Sequence, residues 1–63
     1  MLRQLVLPSD DRALIAEARL FLAQHGVLIV RVRYVNMPPH AILVYSGGPE
    51  VAYIENEFVV VTE

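Results

Sequence analysis

The chain has 63 residues, 56% of them hydrophobic, with five Lys+Arg against seven Asp+Glu, two histidines, no cysteine and a formal net charge of −2. Without cysteine there are no disulfides, thiolate zinc sites or thiol nucleophiles, and net acidity argues against a general nucleic-acid binder. All the basic residues are arginine, which excludes Schiff-base chemistry by lysine.

In chain order, "LRQLVL" predicts a short strand over residues 2–7, with Leu5 and Leu7 on one side and Leu2 and Val6 on the other. "PSDD" then signals a helix start, with Ser9 as N-cap and Asp10 and Asp11 placing negative charge where the helix dipole favours it. From Asp10 to His25 the apolar residues Leu14, Ile15, Ala18, Phe21 and Leu22, with His25, fall in one helical stripe. Gly26 follows, suited to the left-handed conformation that ends helices. Residues 27–36 give the strongest strand signal. Strict alternation there puts Leu28, Val30, Val32 and Tyr34 on one face, and Val27, Ile29, Arg31, Arg33 and Val35 on the other.

"NMPPH" interrupts this strand, because Pro38 and Pro39 donate no ladder hydrogen bonds. "AILVYS" resumes as a strand, "SGGP" reads as a hairpin turn, and "VAYIE" and "FVVVT" complete two more strands. Glu55-Asn56-Glu57 makes the last turn, with Asn56 the residue best able to take positive φ. The expected fold is a single α+β domain over residues 1–63, in the order β-α-β-β-β-β. One helix packs on one face of a small, mainly antiparallel sheet, and the last four strands form a meander.

A domain this small buries only about 60% of the surface its unfolded chain exposes, so its own core is marginal. The apolar fraction exceeds the roughly 45–50% of average globular domains. No apolar run approaches the ~20 residues that cross a bilayer, and "MLRQLVLPSDD" lacks the apolar core of a secretory signal. The expected setting is cytoplasmic, with no membrane contact. A helix of ~16 residues spans about 24 Å and covers one sheet face. The other face should then be polar, yet "AILVYS", "VAYIE" and "FVVV" are apolar on both alternations. Uncovered apolar area of this kind marks an interface, and the simplest partner is a second copy.

Arg31 and Arg33 lie on the face away from the helix. They are expected to form cross-strand pairs with Glu50, Glu55 or Glu57; the alternative is an anion or phosphate clamp, since paired guanidinium groups suit bidentate contacts. His40 follows the two prolines in a loop, and Tyr45 lies on a strand. With Arg31 and Arg33 they make up the candidate interface or anion-binding set. No catalytic constellation, cofactor motif or metal-ligand spacing is present. "SGGP" lacks the glycine spacing, the lysine and the following helix of a phosphate loop. Tyr34 points opposite to Arg31 and Arg33, so a stacking platform for single-stranded nucleic acid is incomplete. The reading is a non-catalytic, self-associating interaction module, with itself and another protein as partners. The alternative is a small nucleic-acid-binding regulator of antitoxin type that uses Arg31 and Arg33. A third is a minimal enzyme with an inter-subunit site near His40.

Overall fold

The computed structural model describes residues 1–62. Its elements are β1 (Leu2–Leu7), α1 (Arg12–Gln24), β2 (Leu28–Asn36), β3 (Pro39–Ser46), β4 (Glu50–Ile54) and β5 (Glu57–Thr62). The order is the expected β-α-β-β-β-β, and one helix packs with antiparallel sheet.

The strands divide into two sheets, where a meander was expected. β1-β3-β2 form a three-stranded antiparallel sheet, and β4-β5 form a separate two-stranded one. The reason is the number of edges. β3 pairs with β2 along Leu28–Asn36 and with β1 along Leu2–Leu7, so neither edge is left for β4. "SGGP" therefore links two sheets and closes no hairpin. Gly47 and Gly48 both take positive φ there, and β4 leaves to lie alongside β1, where Arg3 Nη1 meets Glu50 Oε1 at 3.8 Å.

The helix starts later than the charge pattern suggests. Asp11, not Ser9, is the N-cap: its Oδ1 accepts the Ala13 N–H at 2.9 Å. Ser9 supports the cap from outside, its Oγ accepting the Asp11 N–H at 3.0 Å. At the far end the Gly26 N–H donates to the Ala23 carbonyl (3.1 Å) and the Val27 N–H to the Leu22 carbonyl (3.1 Å). This is a Schellman closure around a left-handed residue, and Gly26 has φ +72° as expected. His25 is the C-cap. It is exposed and outside the core stripe; its Nδ1 lies 2.9 Å from the Phe21 carbonyl and its ring stacks on Phe21.

One core forms between α1, the inward face of the three-stranded sheet and the hairpin. Leu5 and Leu7 of β1, Ile15, Ala18 and Leu22 of α1, Ala41, Leu43 and Tyr45 of β3, and Val51 of β4 are all buried. The hairpin joins through aromatic rings: Phe58 lies 4.7 Å from Tyr53 and 5.4 Å from Phe21. Its two-residue turn has positive φ at both Glu55 and Asn56, the type I′ geometry that matches strand twist. The "NMPPH" interruption shrinks to a tight turn at Met37-Pro38, whose peptide is cis, and Pro39 opens β3.

Two glycines give a graded stability test. A Cβ on Gly26 would meet no atom within 4 Å, so Gly26→Ala pays only the left-handed backbone cost, about 1 kcal/mol or more. A Cβ on Gly48 (φ +65°) would also meet Val27 Cγ2 at 2.5 Å and the His25 carbonyl oxygen at 3.1 Å. Gly48→Ala is therefore expected to lower the denaturation midpoint further than Gly26→Ala does. Equal midpoints would show that the β3–β4 link does not pack against the helix end.

Candidate functional site

The outward face of the three-stranded sheet is built by β-alternation with one interruption. Ile29 pairs with Tyr45, but the next registered pair is Arg31 with Val44, so Val30 is an extra residue in β2. This bulge re-phases the strand. Ile29, Val32 and Val27 pack against the core, whereas Arg31 and Arg33 point away from it. The single-face grouping of Ile29 with the two arginines is thus corrected: Ile29 turns inward. Tyr34, opposite Ala41, is on the inward side by register, but α1 does not reach it and it stays 60% exposed.

On the outward face Arg31 is registered against Val44 and Arg33 against Ile42; across β3 these residues meet Gln4 and Val6. Val44 is only 9% exposed although it faces outward, flanked by Gln4 and Arg31, whose stems are long enough to cover it. Val35 lies opposite His40, and Leu2 and Leu28 flank Ser46. Among the described residues no carboxylate stands on this face. The expected pairing of Arg31 and Arg33 with Glu50, Glu55 or Glu57 is therefore not made within the chain, because Glu50 and Glu57 sit on the other sheet and Glu55 in its turn. Among the described residues the one ion pair is Arg3–Glu50, and at its partial exposure it is worth about 0–1 kcal/mol at most.

His40 belongs to β3, not a loop, and is partly buried. Its Nδ1 is 2.7 Å from the Pro38 carbonyl oxygen, which makes Nδ1 the donor and leaves Nε2 as the free ring nitrogen. Among the described residues no group of three His, Cys, Asp or Glu side chains is placed to hold a metal ion.

Tyr45 is a core residue and not part of any surface site. It is fully buried; its hydroxyl accepts the Val51 N–H at 2.9 Å and donates to the Pro49 carbonyl at 3.3 Å. A ring from the central strand thus satisfies the backbone where β4 begins. The candidate set therefore reduces to Arg31 and Arg33, with His40 on the same face.

A second surface was not singled out by residue type. By register, Ala52, Ile54, Glu57 and Val59 share the outward side of the hairpin, and Ile54 is 51% exposed. The signal lay in the alternation of "VAYIENEFVVV": its other phase (Val51, Tyr53, Phe58, Val60) carries the bulky aromatic residues that seek the core. Comparison with protein-family models, curated proteins and solved structures finds no match.

Tyr45→Phe isolates the hydroxyl. It leaves the ring in place but strands the buried Val51 N–H, which costs about 1–3 kcal/mol. The expected result is a lower denaturation midpoint together with faster hydrogen exchange at the Val51 amide. Unchanged exchange there would mean that the amide has another partner.

Proposed function

We propose that this chain is a non-catalytic interaction module of the cytoplasm that works as a homo-oligomer, at the smallest a dimer. The observation that carries the proposal is the apolar area left uncovered after the core has formed. Val6 is 53% exposed and Leu28 69% exposed on the outward face of the three-stranded sheet, and Ile54, Val59 and Val61 are exposed on the hairpin. In a domain of marginal size such area is better buried against a second protein surface. No helix of the described residues is long and apolar enough to cross a membrane. Sedimentation or light scattering at micromolar concentration is expected to give at least twice the chain mass of 7.1 kDa. A mass of one chain persisting at high concentration would remove the proposal.

A nucleic-acid-binding role through Arg31 and Arg33 is the second reading. It is favoured by two exposed guanidinium groups on a face without a carboxylate among the described residues, and disfavoured because that face carries no Phe, Tyr or Trp ring, only the imidazole of His40, on which a base could stack. Phosphate binding predicts affinity for random DNA or RNA that falls steeply with salt and is lost in the Arg31→Gln, Arg33→Gln double variant while the fold persists. That result would place this reading first. A catalytic role for His40 would have to draw its partner groups from a second protomer.

A further inference from the structure

We infer that the self-association runs from unlike surface to unlike surface: the acidic, apolar hairpin of one protomer seats on the Arg31/Arg33 face of a second copy. This rests on the self-association proposed above and names the two surfaces that meet.

Charge is divided along the chain. All five arginines lie within residues 1–33, against three carboxylates there (Asp10, Asp11 and Glu17), giving +2; residues 34–63 hold four glutamates and no arginine or lysine, giving −4. Among the described residues folding brings the two signs together once, at Arg3–Glu50 where the hairpin begins, and Arg31, Arg33, Glu55 and Glu57 take no part in that pair. The outward face of the three-stranded sheet holds Arg31 and Arg33 beside Val6 and Ile42, without a carboxylate among the described residues. The hairpin holds Glu55 at its turn and Glu57 beside Ile54 and Val59, without a cation. Each surface is apolar with charge of one sign, and each supplies what the other lacks.

The same facts disfavour packing like surface on like. Two arginine faces brought together would enclose four guanidinium groups with no counter-charge, and an unpaired charge taken out of water is costly. Hairpin on hairpin would do the same with carboxylates. Area also matters. A stable interface removes roughly 800 Å² from each partner, about a fifth of the 4299 Å² that this chain exposes. One hairpin on one small sheet supplies only part of that. A two-fold axis makes the contact twice, because if one hairpin meets the partner's arginine face, the partner's hairpin meets the first.

Reciprocity gives the test its logic. In Arg31→Glu, Arg33→Glu both surfaces become acidic, and in Glu55→Arg, Glu57→Arg both become basic. Each variant alone, verified as folded by circular dichroism, is expected to dimerise at least tenfold more weakly than the natural sequence by sedimentation. Mixed in equal amounts they should form a heterodimer of natural affinity, since both contacts are then complementary. Glu17→Arg, on the exposed side of α1, should leave the dissociation constant unchanged. In the unmutated protein, raising salt should weaken the dimer, as screening of exposed pairs requires. Charge swaps without effect, swaps that mixing does not rescue, or a dimer indifferent to salt would each overturn the inference and leave self-association standing. A monomeric unmutated protein would remove both.

Discussion

β3 is hydrogen-bonded along both of its edges, and the remaining architecture follows from that. A strand has two edges only, so once β1 and β2 hold them the chain beyond Ser46 must start a second sheet. The double pairing also explains the composition of "AILVYS". Ala41, Leu43 and Tyr45 look into the core, and Ile42 and Val44 look outward but stand between neighbours on both sides. A central strand is shielded laterally whatever its faces meet, and so it carries apolar residues on both alternations at less cost than an edge strand would.

Two sheets joined by a short glycine link need something to hold them in one body. Part of this comes from Phe58, whose ring stacks on Phe21 and meets Tyr53 at a tilt, and part from the Tyr45 hydroxyl, which serves backbone groups on the link and on β4. The division of labour is physical. Ring stacking tolerates sliding, whereas a buried hydroxyl with one donor and one acceptor position does not. The second therefore sets where β4 starts.

Element order, the helix end at Gly26 and the positive φ of Asn56 were legible because each depends on a few adjacent residues. The partition into sheets was not, since it depends on which of two distant strands claims the free edge of β3, and local pattern is silent on that. Ser9 and Asp11 are both good capping residues two positions apart, and only the backbone path out of β1 decides between them. For the candidate site, the outward direction of Arg31 and Arg33 was readable from the strand. Their missing counter-charges were not, because Glu50, Glu55 and Glu57 seem close until the second sheet is known. Tyr45 was misplaced for a similar reason: a strand tyrosine suits a surface or a core, and the amide waiting at Val51 belongs to a strand that alternation cannot locate.

The extra residue in β2 decides which face each later residue of the strand takes. An alternating strand has a reading frame of two. Ile29 is in one frame and Arg31 and Arg33 are in the other only because Val30 stands unpaired between them. Pair Val30 with Val44 instead, and the same side chains in the same order would send both guanidinium groups toward Leu43 and Ala41. Substitutions at Val30 are thus a mild matter of packing, and even its deletion would keep both arginines facing outward, because the residue lost is the one the ladder does not count.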